Sequence, residues 1–399
     1  MSILIFCSFQ VGGFPYKIAS ILRSHGISAY HYSFGPQKPG HDSINYHSEE
    51  IRPEWDLSES FPSGNPQRVA GFLEKKKSEL GIKFAFATGS GSFLLTRTGI
   101  PYVYWSYGSD LDSLSFPLDG LTTFKWKFFP IFFSRMLRAS RMRLTFKSAK
   151  SIVISPYQIA RAEKLGFSCP LAFLPHVLEI LPWNQLLGMR ESARKEIFEE
   201  FGVSRFFFSS ARHFWAKGNA RLSDNKGNDV AILAFGKFRR EQKGGTLFLI
   251  EKGPDVSASM ELIRALGLSK FVVWLPEMPR KKLSRFYLGA CRVLGQFGTP
   301  VFTYSSAEPL AVGTPVSSFF QPLPNRVPFY QTPPPINSTM DIAVIADEMR
   351  RSYQDLDSSI SLPYKSWEWA RENCSETVFI QAFQNLFRKF IFGSKTSGN

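Results

Sequence analysis

Cysteine is scarce. The 399 residues hold four, Cys7, Cys169, Cys291 and Cys374, each far from the next. That excludes a disulfide scaffold, and no pair has the short spacing of a zinc or iron–sulfur site. The pattern fits a reducing compartment. The six histidines show no metal spacing either. Long hydrophobic runs are missing too: stretches such as residues 128–133 fall far short of the ~20 residues that cross a bilayer. Residues 1–8 carry no basic stretch ahead of their apolar ones, so they do not read as a secretory signal. The Asn-x-Ser/Thr triplets at Asn337 and Asn373 are therefore read as chance. Acidic residues are in deficit, 33 against 48 Lys and Arg, for a net charge of +15 and a pI near 9.6. Such a balance favours an anionic partner: nucleic acid, an anionic bilayer surface or a phosphorylated ligand.

What is present is a globular composition, 44% hydrophobic and 20% charged, with an unusual 39 Phe. The length suits two domains. Short apolar runs at residues 3–9, 29–32, 84–87, 101–105 and 152–155 read as buried strands. Helical patterns at 15–25, 67–80 and 156–165 alternate with them. The pattern recurs from about residue 205, with strands at 205–210, 246–251, 271–275 and 292–295 and helices at 227–240, 257–266 and 279–288. Strand–helix alternation predicts parallel sheets covered on both faces, and two doubly wound units place a ligand at the C-terminal ends of the strands. We expect one domain over residues 1–180 and a second over 200–370, with residues 375–392 returning to the first. Residues 322–335 hold six prolines and read as a surface loop.

Two stretches can carry chemistry. In the first, Gly295-Gln296-Phe297-Gly298 follows a strand, and residues 305–310 open a helix with Glu308 in its first turn, ahead of Gly313-Thr314-Pro315-Val316. Glycine turns at a helix start expose N–H groups that suit phosphate oxygens. A carboxylate there accepts from sugar hydroxyls or merely complements the helix dipole. In the second, Arg212 lies just past a strand and Lys226 at the entrance of the next helix. Such a pair neutralises a pyrophosphate, or is simply solvated. Two weaker signals are a Gly-x-Gly turn at Gly89 and Gly91, read as structural, and a basic, aromatic stretch at 125–150. That stretch contains Arg135, Arg138, Arg141 and Arg143 and no acid. It reads either as a helix lying in an anionic bilayer interface or as a core-covering helix with a solvated basic face. No nucleic-acid motif accompanies it.

The order Arg212, Lys226-Gly227, Gly253, Trp274-Leu-Pro and Glu308…Gly313-Thr-Pro-Val resembles the nucleotide-sugar-binding half of retaining family-4 glycosyltransferases of the GT-B type. The likeness extends more loosely to Gly12-Gly13, Tyr107-Gly108-Ser109-Asp110 and Ile154-Ser155-Pro156. It implies two Rossmann-like domains facing a central cleft, and a sugar moved with retention from a nucleotide-diphosphate donor to a glycan or lipid-linked acceptor. Arg212 and Lys226 would hold the donor diphosphate and stabilise the charge growing on it. Glu308, Gln296, Gly298 and Gly253 would contact the donor, Glu308 through its ribose. Gly12, Gly13 and Asp110 would lie on the acceptor side. No metal or other cofactor is expected, and Asp110-Leu111-Asp112 suits acceptor binding. The implied location is cytoplasmic, at the inner membrane face. Pro300 stands where the family has its first signature glutamate, and Gln296 lies twelve residues before Glu308. The rival readings are a sugar-nucleotide isomerase or epimerase of the same fold, and a non-catalytic sugar-nucleotide-binding protein.

Overall fold

The computed structural model describes residues 2–8, 14–34, 55–58, 65–106, 111, 115, 129–216, 225–320, 330, 332–355 and 361–391. Two compact units emerge. One comprises residues 1–174 together with 380–399, the other residues 175–379.

The first unit runs β1 (Ser2–Cys7), α1 (Phe14–Ser24), β2 (Ser28–Ser33), α2 (Pro66–Glu79), β3 (Ile82–Thr88), β4 (Tyr102–Trp105), α3 (Phe129–Ser148), β5 (Ser151–Val153), α4 (Ile159–Leu165) and β6 (Leu171–Ala172). All strand pairs are parallel, in the order β2-β1-β3-β4-β5-β6. The strands are nearly continuous apolar runs because both faces are covered. Leu4 and Phe6 pack on one side with Tyr102 and Phe146. Phe84 and Phe86 of β3 meet Phe383 and Phe387 edge-on.

The second unit runs α5 (Trp183–Phe201), β7 (Phe206–Ser209), α6 (Asn228–Glu241), β8 (Thr246–Ile250), α7 (Val256–Ala265), β9 (Val272–Leu275), α8 (Arg280–Gly289), β10 (Arg292–Leu294), α9 (Tyr304–Ala311), β11 (Val316–Ser318), β12 (Asn337–Ser338), α10 (Ile342–Gln354) and α11 (Ser361–Cys374). The final helix, α12 (Glu376–Ile391), contributes Phe383 and Phe387 to the first unit. The second sheet is also parallel, in the order β12-β11-β10-β7-β8-β9. The phenylalanines explain themselves here. Phe206 and Phe208 enter the core on one face of β7 with Phe248 and Phe286, while Phe207 enters the other with Phe235 and Phe238. T-shaped contacts, such as Phe206 against Phe248 at 5.1 Å between centroids, tie the first cluster together.

Several elements differ from the sequence expectation. Residues 156–165 divide into a 3₁₀ turn, Pro156–Gln158, and α4. The C-terminal helical pattern breaks into α11 and α12 at Ser375, where Leu178 N–H donates to the Cys374 carbonyl and pairs beside Ser375. Residues 181–199, between the two expected domains, fall inside the second unit and hold most of a full helix, α5, and the prolines of residues 322–335 precede α10, whose buried face is Ile345, Ala346, Glu348 and Met349. Residues 321–329 and 331 lie outside the described residues.

Candidate functional site

In an open α/β sheet the ligand crevice lies beyond the strand C-termini, where the strand order reverses. In the second unit that point is between β7 and β10. The chain leaves β7 to build β8 and β9 on one side, then returns to build β10, β11 and β12 on the other. The segments following β7 and β10 are those that carry Arg212 and Gln296–Gly298.

The segment after β7 is clamped from three directions. The Asn228 side chain accepts from Phe214 N–H at 3.2 Å and donates to the Ala211 carbonyl at 3.3 Å. Asp255 accepts from the N–H groups of Trp215 and Ala216 at 2.7 and 3.0 Å. His213 N–H donates to the Lys252 carbonyl at 2.6 Å. Arg212 sits within this clamp, half-buried, its guanidinium 5.6 Å from the Phe214 ring centre.

Lys226 joins this segment to the loop after β10. Its N–H donates to the Phe214 carbonyl at 2.8 Å, and its carbonyl accepts from Phe297 N–H at 2.9 Å. Gly227 caps α6 with φ +62°, and a Cβ there would lie 2.5 Å from the Gly298 nitrogen. A Cβ on Gly298 would in turn lie 2.3 Å from Asn225 Oδ1. The two loops touch backbone to backbone because neither glycine has a side chain. Gly253 has a related function: with φ +115° it passes so close to His213 that a Cβ would meet its carbonyl oxygen at 2.3 Å. In this structure Gly253 holds the Arg212 segment in place by letting the β8 turn approach it.

Gln296 is 8% exposed. Its Nε2 donates to Thr303 Oγ1 at 3.1 Å and Ser305 Oγ at 3.3 Å, spanning the loop to the start of α9. Its Oε1 is buried and has no partner among the described residues. Glu308 requires a correction. The helix begins at Tyr304 with Thr303 as its cap, so Glu308 falls in the second turn, away from the free N–H groups of the first. Its charge is met by Arg280 at the start of α8, whose Nε lies 3.4 Å from Oε1.

Residue patterns gave no reason to single out Asp255, Asn228 or Ser259, because they act on backbone or on each other across the fold; His213, next to Arg212 in sequence, reads there as a cleft-lining or merely hydrogen-bonded histidine. His213 is fully buried, its Nδ1 2.7 Å from Ser259 Oγ, which also accepts from Trp215 Nε1 at 2.8 Å. Burial lowers its pKa to about 4 despite the Asp255 charge, so the ring is neutral at pH 7. In the first unit, Cys7, His31 and Asp56 form a row, with Sγ 3.5 Å from Nε2 and Nδ1 3.1 Å from Oδ1. This arrangement is not a nucleophile. Burial pushes the Cys7 thiol up to about 12 and leaves no exposed surface.

The strand order of the first sheet reverses between β1 and β3. There Ser8 Oγ accepts from Gly91 N–H, and Gly89 N–H donates to Tyr104 Oη at 3.1 Å, so the Gly-x-Gly segment packs β3 against β1. Gly12, Gly13 and Asp110 lie outside the described residues. On α3, Ala139, Met142, Thr145 and Phe146 are buried, while Phe133, Met136, Leu137 and Leu144 stand exposed along the opposite face. Arg138, Arg141 and Arg143 are exposed and Arg135 is half-buried. Arg143 donates to the Ser115 carbonyl at 3.1 Å, and Arg141 lies 5.0 Å from the Phe93 ring centre. No helix among the described residues is long and apolar enough to cross a membrane. Among them there is also no group of three or more His, Cys, Asp and Glu placed to hold a metal ion.

No family model and no curated protein matches the chain in sequence. Solved structures do match. A glycosyltransferase from Rickettsia africae superposes with a TM-score of 0.64 at 13% identity, covering 99% of each chain. HepE from Anabaena, solved with UDP-glucose, gives 0.63 at 14% identity over 97% of this chain and 99% of its own. WaaG, a glycosyltransferase involved in lipopolysaccharide biosynthesis, gives 0.59 at 14% identity over 98% and 100%. The chain has the GT-B fold of these enzymes, two parallel six-stranded α/β units.

Proposed function

We propose that the protein is a glycosyltransferase that moves a sugar from a nucleotide-diphosphate donor to a glycan or lipid-linked acceptor with retention. The observation that carries this reading is the backbone contact of Gly227 with Gly298 at the β7/β10 reversal. It binds the Lys226 entrance of α6 to the Gln296–Gly298 loop, and Lys226 N–H in turn bonds the clamped segment that carries Arg212. Two cations on one rim suit a diphosphate, and the hydrogen bonds that hold their backbone limit the reorganisation that would weaken their stabilisation. The HepE structure with UDP-glucose supports a sugar nucleotide as the donor.

In this mechanism the bond from the anomeric carbon to the diphosphate oxygen breaks, and that oxygen's growing charge is met by Arg212 and Lys226. The acceptor hydroxyl bonds to the anomeric carbon on the face the diphosphate leaves. Its proton passes to the departing phosphate oxygen, so the configuration is retained. Gln296 Oε1, without a partner among the described residues, supplies an acceptor for a donor hydroxyl, and Arg280 fixes the Glu308 carboxylate. We assign to α3 a peripheral contact with an anionic membrane, on its exposed stripe of Phe133, Met136, Leu137 and Leu144 flanked by basic residues.

Calorimetric titration with UDP, GDP and ADP, followed by turnover of the matching sugar nucleotides, tests the proposal. Arg212→Ala and Lys226→Ala should lower kcat more than donor affinity, each by on the order of 100-fold, since the charge they meet grows as the bond breaks. Wild-type turnover in the double variant would overturn it. Tight donor binding with no transfer or hydrolysis would establish the non-catalytic reading, to which Pro300 points.

A further inference from the structure

The second unit carries a cavity of about 390 Å³ at the opposite edge of its sheet from the β7/β10 crevice. It opens where β10, β11 and β12 begin, and Arg190, Arg292, Arg351, Glu348, Asp355 and the first turn of α11 form its wall. Arg292 is offset by Glu348, with Nη1 3.5 Å from Oε2, and Arg351 by Asp347 at 3.0 Å. Arg190 differs. It is 6% exposed, and no carboxylate pairs with it among the described residues. One of its terminal nitrogens donates to the carbonyls of Val312 and Gly313 and to Thr314 Oγ1 at 2.9–3.2 Å, which fixes the guanidinium without neutralising it. Burial, with Arg194 nearby, lowers its pKa to about 10. Pro315, Pro335, Leu362 and Pro363 supply an apolar wall.

We propose that this cavity binds a small phosphate monoester as an effector of the donor site. The planar guanidinium matches phosphate oxygens, and the start of α11 presents the positive end of a helix. The volume lies in the range of small-ligand pockets, and the apolar wall accommodates the organic part that a bare ion would lack. The coupling rests on the donor site proposed above. Arg292 opens β10, whose far end leads to Gln296 after ~13 Å of extended chain. Arg190 holds Val312, one turn or ~6 Å beyond Glu308 along α9. A ligand drawing on both arginines acts on the two elements that carry the donor contacts.

The test is calorimetry on the full chain saturated with a nucleoside diphosphate, using inorganic phosphate, a hexose 6-phosphate and the unphosphorylated hexose as probes. The hexose phosphate should bind saturably, at least tenfold tighter than phosphate, and the bare hexose not at all. Arg351→Glu, at a half-exposed position that tolerates change, should weaken it at least tenfold, and Asp355→Asn should tighten it several-fold. Neither should alter nucleoside diphosphate binding in the absence of hexose phosphate. Absent binding, displacement of the hexose phosphate by nucleoside diphosphate, phosphate binding as tightly as the monoester, or affinity unmoved by both substitutions would overturn the proposal. Because nucleoside diphosphate binding is read separately, failure of the donor reading is told apart from failure here.

Discussion

Replacing Gly227 with Ala probes the contact on which the proposed site depends. Two costs arise. The first is conformational: at φ +62° an L-residue sits in the left-handed region, which costs about 1–2 kcal/mol. The second is steric. The new Cβ would lie 2.5 Å from the Gly298 nitrogen and 2.7 Å from the Phe297 carbonyl carbon, both backbone atoms that a rotamer change cannot move. Forcing the loops apart adds about 1–3 kcal/mol. The total is about 2–5 kcal/mol. Gly202 supplies the control, because its φ is +68° and a Cβ there meets nothing within 4 Å. Gly202→Ala should carry the conformational cost alone. For a unit of about 200 residues each kcal/mol moves the midpoint by about 2–4 °C, so thermal scans separate the two variants. Titration with the preferred nucleoside diphosphate should show at least a tenfold loss for Gly227→Ala and none for Gly202→Ala. Equal midpoints, or unchanged affinity in Gly227→Ala, would refute the view that this contact positions Lys226 against the Gln296–Gly298 loop.

Stability should fall on acidification. His176, packed edge-on against Phe302 and Tyr304, and His213 are held by burial at about 4, below the ordinary 6.5, so the unfolded chain takes up protons between those values while the folded one does not. Stability is fully present above pH 6.5 and falls by up to about 3 kcal/mol per histidine toward pH 4, and His213→Gln should flatten the denaturation-versus-pH curve by about half over that window. Glu308→Gln removes the charge opposite Arg280 and should weaken donor binding about ten- to a hundredfold, with a 2′,3′-dideoxyribose donor losing little further. Simple addition of the two losses would show that Glu308 does not touch the ribose. Leu137→Glu and Leu144→Glu should each release the protein at least tenfold from anionic vesicles in a flotation assay, since a buried Leu is worth about 1.5–3 kcal/mol. Binding to neutral vesicles as strong as to anionic ones, insensitive to salt, would dismiss the α3 assignment. Arg143 is unsuitable for that test because it also holds the Ser115 carbonyl.

The amino-acid order alone determined the alternation of strands and helices, and with it two parallel sheets. Apolar runs such as Phe206-Phe207-Phe208 satisfy both faces of a buried strand and nothing else that fits their length. It also marked Arg212, Lys226 and Gln296 by their places at element ends, which are local properties. The shortest strands, β6 and β12, escaped because two residues carry no periodicity, and their pairing comes from a neighbouring strand. The same limit applies to the site. That Gly227 must be glycine depends on Gly298, seventy-one positions away, and that Gly253 must be one depends on His213. Glu308 read as a first-turn acid because its Arg280 partner and the extra helical residue Tyr304 are settled by how α8 and α9 pack. The cavity around Arg190 was likewise invisible in sequence. An unneutralised buried charge exists only once the chain has closed around it, since any arginine on an open strand is simply solvated.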